Sequence, residues 1–437
     1  MGKYLYFVLI FIVPFWVYAR QWSLEECVEH ALANNAAIRL QMQSLIADSA
    51  RLDEAQGAFF PNLSANASTG VSSTPFAAER IDRNTGEAQS KSTGTASMGI
   101  SSNVIILDGR RRRNRLFSAE KSLTAAEISL EIEKQNIISS ITRAFVSLLH
   151  AQEALNNANS AVSLSQKQLE FQQNLEEVGK GTQLSLTRSR AQLAQNQHSL
   201  TIAQNNFNNA VLEMRRLLEL DFESEFGVIH PNTDFESRSN LPPSQIFEDN
   251  RSVFSQISSA EIAVEIAEIS LAITQAQKSP TLSANAGIST GMRTNSPHSG
   301  DRQLREGVSP NAGLSLSIPI LDRRSTKTAV AVAQSNLNRS KIILERTERN
   351  VRSEIEQLVA DIRSSQSRFA SAQGRFEAET ENMRTVDEMR NIGNITAIDY
   401  ASQQNNFHSA QSELTQAKYS LMLSQKLLDI YLGLRFE

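Results

Sequence analysis

Four segments of the chain alternate between apolar and small polar residues with a period of two. Leu63, Ala65 and Ala67 alternate with serine and asparagine, and Leu314 and Leu316 alternate with glycine and serine. Each segment runs for about ten residues, the length of a tilted strand that crosses a bilayer. The alternation by itself favours a half-buried sheet in a soluble domain. Four such strands beside very long helices, with polar loops near 73–94 and 291–307, favour a membrane strand instead.

Apolar and small residues also recur at spacings of four and three along very long predicted helices. One such track begins at Ile137, Ile141 and Ala144, and an equivalent track begins at Val351 and Ile355. A heptad pattern held over about five heptads predicts supercoiled helices that pack knobs into holes. As a helix, the stretch 110–178 would be about 100 Å long at 1.5 Å per residue. No globular core would cover it, so it must pack sideways against other long helices.

The chain contains the same unit twice. The motif that begins at Pro61 returns at Pro280, 219 residues later, and Leu107 returns at Leu321, 214 residues later. From Leu107 onward the second offset holds without a gap. Each copy is predicted to contain a helix, two strands joined by a loop, a very long helix, a tight turn and a second long helix. The sequence therefore predicts a tandem duplication.

The first residues resemble an export signal. Lys3 precedes an apolar stretch over 4–17, and the small-residue context before Arg20 predicts cleavage there. A membrane anchor would need about 20 apolar residues, which this stretch lacks. The predicted organisation is a signal peptide at 1–19, a first repeat at 20–219, a linker or equatorial collar at 220–245 and a second repeat at 246–437.

Composition argues against an enzyme and against a nucleic-acid-binding protein. Aromatic residues make up 6% of the 437 residues, the formal net charge is −4, and Cys27 is the only cysteine. The six histidines are scattered without the spacing of metal ligands, and neither a phosphate-binding glycine loop nor a nucleophile motif is found. We therefore predict no catalytic residues, no metal and no cofactor.

Several short stretches, in this order and spacing, resemble the outer-membrane efflux proteins, the TolC-like family. The resemblance covers essentially the whole mature chain, and its specificity comes from order, spacing and duplication together. The stretches are 23–26 with 31–35, Phe60-Pro61-Asn62-Leu63, Leu107-Asp108-Gly109-Arg110-Arg111, Ile318-Pro319-Ile320-Leu321-Asp322, and 393–400.

The resemblance implies a mostly α-helical homotrimer with a transmembrane β part. Each chain would give four strands to a shared 12-stranded β-barrel that continues into a 12-helix periplasmic coiled-coil α-barrel. Physical chemistry agrees, because four strands leave two open edges that lipid does not tolerate. The implied function is a passive exit duct, gated at its periplasmic tip, of a tripartite efflux or type I secretion system. The implied partners are a periplasmic adaptor, an inner-membrane pump and outer-membrane lipid.

A second interpretation is a periplasmic coiled-coil scaffold or adhesin stalk, which explains the heptads but not the four duplicated strands. The predicted place of the exit duct is the outer membrane, with the helical part in the periplasm.

The two turns between long helices are the first candidate site. Glycine stands where each helix must end, and threonine suits the N-cap of the next helix. The turns are simply good helical hairpins whatever else they do, and the resemblance assigns them to adaptor docking. The residues concerned are Gly179, Lys180, Gly181, Thr182, Gly393, Asn394, Ile395 and Thr396.

A pore constriction is the second candidate site. The resemblance places acidic residues one turn beyond the tip, and here Asp399 holds the first such position. Ser402 stands at a second position, Ser185 at the equivalent position of the first copy, and Tyr400 is a further candidate for narrowing the pore. Asp399 fits equally well as a first-turn carboxylate that stabilises its helix. Ile395 stands where some family members carry a basic gating residue.

A basic cluster, Arg110, Arg111, Arg112 and Arg113, stands where a strand becomes a helix. At the membrane edge its guanidinium groups would meet lipid phosphates or neighbouring carboxylates. A solvated belt of charge is the alternative.

Overall fold

The computed structural model describes residues 21–73, 75–76, 92–221, 226–229, 242–294, 296, 298–392 and 394–433. The predicted signal peptide, Gly393 and most of the predicted 220–245 linker lie outside the described residues.

Helices make up most of the described chain, and they are numbered here in chain order. They are α1 Leu24–Asn34, α2 Ala36–Gly57, α3 Arg111–Glu177, α4 Gln183–Leu218, α5 Pro243–Asn250, α6 Ser255–Gln275, α7 Gly300–Glu306, α8 Ser325–Asn391 and α9 Ala397–Tyr431. The strands are β1 Gln21–Trp22, β2 Asn62–Ser73, β3 Ser92–Leu107, β4 Gly227–Val228, β5 Thr281–Arg293 and β6 Ser309–Ser317. The very long helices predicted in both copies are confirmed.

Two compact units form, and each takes segments from both sequence repeats. One unit comprises the described residues within 1–40, 131–254 and 349–437, and the other comprises those within 41–130 and 255–348. Equivalent segments of the two copies therefore fold together.

The four long strands form one antiparallel sheet in the order β2-β3-β5-β6. Asn103 lies opposite Asn62 on one side and Asn285 on the other, so the two copies are joined through β3 and β5. The register between β3 and β5 shifts at a bulge between Ile105 and Leu107. The predicted alternation is confirmed, and one sheet face is apolar while the other is polar.

The polar face of this sheet is built almost entirely from asparagine, serine and glycine. Its inner part carries no charged side chain among the described strand residues. The residues are Asn62, Ser64, Asn66, Ser68, Ser97, Gly99, Ser101, Asn103, Asn285, Gly287, Ser289, Asn311, Gly313 and Ser315.

In the other unit, the heptad residues form the core between long helices. Ile141, Leu148 and Ile355 are fully buried, as the spacing predicts. Polar contacts join α3 to α9 beside this apolar track. Tyr419 donates to the Glu153 carboxylate at 2.7 Å, and Thr415 donates to its other oxygen at 3.3 Å. Because buried polar groups need partners, these contacts fix which faces of α3 and α9 meet.

The N-terminal segment belongs to the same unit as this helical core. Ser23 and Glu26 form a reciprocal capping box at the start of α1, and β1 pairs in parallel with β4. The pairing attaches the beginning of the described chain to the segment between the two repeats.

Among the described residues, none of the helices combines the length and the apolar character that crossing a membrane requires.

Candidate functional site at the helical hairpin turns

The first turn is a glycine-terminated helix end. Lys180 N donates to Leu175 O at 2.9 Å and Gly179 N to Glu176 O at 2.9 Å, with Gly179 at φ +72°. This hydrogen-bond pattern is the Schellman motif, which requires a left-handed residue at the helix end. Thr182 then begins α4, because its hydroxyl accepts the Ser185 N–H at 3.2 Å. The turn leaves Lys180 exposed at its apex.

The second turn repeats the helix-ending hydrogen bond and the threonine cap of the first, with other side chains. Asn394 N donates to Met389 O at 2.8 Å, which is the bond equivalent to that of Lys180. The Thr396 hydroxyl accepts the Asp399 N–H at 3.2 Å and so caps α9. Asn394 and Thr396 are exposed and Ile395 is half-buried. Both predicted N-caps are therefore present.

The candidate constriction residues occupy the first turns of α4 and α9. Asp399 is exposed, and its carboxylate accepts a hydrogen bond of 2.6 Å from the Thr396 hydroxyl. Ser402 is exposed one turn later, and Ser185 is half-buried beside Thr182. Asp399 thus completes a helix cap and still presents charge to solvent.

Tyr400 does not fit the predicted role of a pore-lining residue. Its side chain is 2% exposed in the single chain, and further copies could only cover it more. The Tyr400 hydroxyl donates to Asp387 at 3.0 Å and accepts from Arg390 at 2.8 Å. Its burial raises the pKa of Tyr400 to about 12, so the phenol stays protonated. Tyr400 is a packing residue of the second hairpin.

Arg390 is the central residue of this cluster and was not among the predicted site residues. Its guanidinium lies over the Tyr400 ring at 4.6 Å and over the Phe171 ring at 5.8 Å. It also donates to the Gln168 amide oxygen at 3.3 Å, so the second hairpin is attached to α3 of the first copy. We call Arg390, Tyr400, Asp387 and Gln168 the hairpin clamp. The sequence signal that could have revealed this clamp was the set of an arginine, an aspartate and a tyrosine at helical spacings.

The basic cluster is only partly free for a ligand. Arg112 pairs with Asp108 at 3.3 Å, lies over the Phe59 ring at 5.1 Å and is largely covered. Arg113 lies over Phe117 at 5.3 Å. Arg110 is exposed and has a φ of +70°, while Arg111 is half-buried. The cluster therefore combines one structural arginine with solvent-facing ones.

Within the described part of the chain, no group of three or more histidine, cysteine, aspartate or glutamate residues is placed to hold a metal ion.

Comparison with known proteins agrees with the fold. The outer membrane efflux protein BepC of Brucella suis is 21% identical over 337 residues, which are 76% of this chain and 71% of that protein. The outer membrane protein TolC of Escherichia coli is 20% identical over 418 residues, covering 94% and 82% of the two chains.

Solved structures show the same architecture. The crystal structure of CusC gives a TM-score of 0.81 at 16% identity, covering 94% of this chain and 92% of that one. The Campylobacter jejuni CmeC outer membrane channel gives 0.81 at 18% identity, covering 94% and 85%. The sequence profile named outer membrane efflux protein matches residues 27–219 and 254–434. The chain therefore belongs to the outer membrane efflux protein family, the TolC-like channels of the outer membrane.

Proposed function

We propose that this channel works as a homotrimer and as the passive exit duct of a tripartite efflux or type I secretion system. Members of the family are channels and not enzymes. The duct would receive solute from an inner-membrane pump through a periplasmic adaptor. It would consume no energy itself, since the pump drives the transport.

The four-stranded sheet carries this proposal. Within the described residues, β2 and β6 each have a strand partner on one side only, and the outer edge of each presents a row of backbone hydrogen-bonding groups. The apolar face includes Val71 and Leu314, both highly exposed in the single chain. An open edge in hydrocarbon leaves polar groups unpaired, at several kcal/mol each. Three copies close a 12-stranded barrel without an edge.

The helical hairpin turns support a gate in the periplasm. In a trimer, three exposed Asp399 carboxylates would form a ring at the constriction, with Ser402 and Ser185 facing the same passage. A ring of carboxylates attracts cations and excludes anions. The hairpin clamp would hold the second turn against α3 and so keep the passage narrow.

Two further contacts complete the proposal. The exposed apices around Lys180 and Asn394 are the surfaces that an adaptor would meet. Arg110, Arg111 and Arg113 would meet lipid phosphates at the membrane edge. The 220–245 segment would form a collar around the helices.

The oligomeric state gives the first test. Analytical ultracentrifugation of the purified protein in detergent should show a stable trimer that resists heat. A stable, folded monomer that still carries the four-stranded sheet would refute the proposal.

Docking gives the second test. A photo-crosslinking residue at Lys180 or Asn394 should capture the cognate adaptor in cells, and the matched control is a probe at exposed Ser402, inside the passage. Capture at Ser402 alone would place the adaptor elsewhere.

A further inference from the structure

The two ends of the four-stranded sheet differ in what they join. At one end the strands join the helices α2, α3, α6 and α8, and at the other end they join the loops that follow Ser73 and Arg293. The helical part of these outer-membrane channels lies in the periplasm. The loop end of the sheet therefore faces the outside of the cell.

The apolar face of β5 shows how far the sheet extends across the membrane. Its side chains occupy every second position from Leu282 to Met292. About ten residues at roughly 3.4 Å each, tilted by about 40°, span about 25 Å along the membrane normal, which is the height of the apolar band of an outer-membrane barrel. Met292 therefore lies at the outer boundary of the hydrocarbon.

The short helix α7 packs against the apolar face at this boundary. The hydroxyl of Thr290, a residue of that face, donates to Leu304 O at 2.6 Å. An added methyl group at Gly300 would lie 3.0 Å from the Met292 sulfur. Gln303 accepts the backbone N–H of the last β5 residue at 2.9 Å and donates to its carbonyl at 3.1 Å. These contacts hold α7 on the side of the sheet that faces lipid.

A groove of about 490 Å³ lies on the same face beside α7. Small and apolar residues line it, among them Ala65, Ala67, Met98, Ile100, Ile288 and Val308. Water gains few hydrogen bonds in an apolar hollow, so such a hollow favours an apolar occupant. Since this face of the sheet meets the membrane, the occupant available to the groove is the acyl chain of a lipid.

The outward side of α7 carries only charged side chains. They are exposed and form two pairs, Arg302 with Glu306 at 2.8 Å and Arg305 with Asp301 at 3.6 Å. Exposed ion pairs of this kind contribute little, so a phosphate can compete for the guanidinium groups, whose planar donors match phosphate oxygens. A helix with one side against the apolar face and a charged side outward is typical of a membrane interface.

We propose that α7 and the groove beside it bind one phosphate-bearing lipid of the outer leaflet. Its acyl chain lies in the groove, and its phosphate meets Arg302 and Arg305. This goes beyond the proposed function, in which lipid phosphates are contacted only at the periplasmic edge, and it holds for any number of copies of the chain. A lipid bound in this way fixes the height of the sheet in the membrane.

Native mass spectrometry of lipid binding tests the phosphate contact. The delipidated full-length protein in mild detergent is mixed with phosphatidylglycerol or with the uncharged diacylglycerol that has the same chains. The natural protein should retain phosphatidylglycerol in preference to diacylglycerol. Removing the charges with R302Q and R305Q should lower retention of phosphatidylglycerol roughly fivefold for each arginine and leave that of diacylglycerol unchanged. The control R339Q, at an exposed arginine of α8, should change neither.

Filling the groove tests the acyl-chain contact. A67F places a ring in the groove and should lower retention of both lipids at least about fivefold, because both lose the same apolar contacts. Ala67 is exposed, and phenylalanine suits a strand, so the sheet should still form. The matched control is A286F, at the repeat-equivalent position 219 residues later, which is exposed on the same apolar face outside the groove. It should retain both lipids as the natural protein does.

The outcomes separate this inference from the proposed trimer. Equal retention by A67F and A286F, unchanged retention of phosphatidylglycerol by R302Q with R305Q, or no retained lipid in the natural protein would overturn the lipid site. A monomeric protein that retains lipid in the expected pattern would overturn the trimer and leave the lipid site standing.

Discussion

The two helical hairpin turns share two backbone features and differ in their side chains. Both end a long helix with the same 6→1 hydrogen bond and begin the next with a threonine cap. In the first hairpin, Leu186 is buried where the second has Tyr400. Glu176 of the first hairpin stands where the second has Arg390. Duplication has thus kept the fold of the turn and given the charged contacts to one copy.

The difference means that the two hairpins are held together by different kinds of contact. An apolar residue such as Leu186 holds its helices through packing, which depends little on direction. The hairpin clamp adds directed hydrogen bonds to the packing of the buried Tyr400, and hydrogen bonds weaken steeply when their geometry is disturbed. We therefore expect the second hairpin to be the one that moves between two states and the first to stay fixed.

Removal of the clamp should have the largest effect. Arg390→Ala with Tyr400→Phe deletes hydrogen bonds to charged groups, each contributing about 1.5–3 kcal/mol. We expect conductance of the purified channel in planar bilayers to rise at least about tenfold, since each 1.4 kcal/mol changes the ratio of open to closed channels by a factor of ten. Glu176→Ala, at the matched position of the first copy, should change conductance little. An equal rise at Glu176 would contradict the division between the two hairpins.

The proposed acidic ring should have the next largest effect. Asp399→Asn keeps a side chain that accepts the Thr396 hydroxyl and removes the charge. Block of the channel by multivalent cations added from the periplasmic side should weaken on the order of tenfold. The trimer should lose no more than about 0.5 kcal/mol of stability. Block that survives the substitution would place the constriction elsewhere, with the Glu176–Glu177 pair as the next candidate.

Adding a carboxylate to the first hairpin tests the same difference between the two hairpins in the opposite direction. Ser185→Asp puts a carboxylate at the equivalent position of the first hairpin, where it would add a second ring. Block should then become stronger than in the natural protein, and Asp399→Asn in this background should restore part of the natural value. No change would mean that Ser185 does not face the passage.

The glycines of the first turn should show a smaller effect. At Gly181 an added methyl group would lie 2.7 Å from Glu176 N, while at Gly179 there is open space but a positive φ. Gly181→Ala should distort the turn and lower efflux severalfold, and Gly179→Ala should cost about 1 kcal/mol of local strain. Gly374→Ala, within α8 and in open space, is the control and should not impair efflux. Equal loss of trimer and efflux would mean that the turn serves folding alone.

Acidification should have the smallest effect. Burial lowers the pKa of His150 and of His408, so both favour the neutral imidazole in the folded state. The two histidines therefore cost no stability above their unfolded pKa of about 6.5. Below it the unfolded state binds protons more readily, so the free energy of unfolding falls as pH drops through the lowered folded pKa values. The unfolding temperature should decrease by a few degrees (roughly 2–4) between pH 7.5 and 5.5. His150→Gln with His408→Gln should flatten this dependence, and an unchanged slope would assign it to other groups.

Periodicity was enough to predict the long strands and the long helices, because it reflects a local geometry. The heptad spacing predicted the buried faces around Ile141 and Ile355, and alternation predicted the sheet faces. The short helix α7, in a segment predicted to be a polar loop, was missed, since seven residues carry little periodic signal.

The hairpin clamp was harder to predict for a different reason. Arg390 and Gln168 are 222 residues apart, and only the packing of the two hairpins brings them together. The sequence placed Tyr400 correctly on the first turn of α9, but not the side to which its ring would point. Which residues meet across helices depends on their rotation about the long axis, and a heptad pattern defines that only for the apolar seam.

The long helices α3 and α8 each contain 67 residues, and the returning helices α4 and α9 contain 36 and 35. At 1.5 Å per residue, a helix of 67 residues is about 100 Å long, so the long helices of the two copies have the same length. Adding one heptad to a single copy would displace its turn by about 10 Å from the other and break their shared contacts. Adding the same heptad to both copies would preserve every contact and lengthen the duct. We therefore expect paired insertions of whole heptads to be tolerated and an insertion in one copy alone to disrupt the contacts between the two turns.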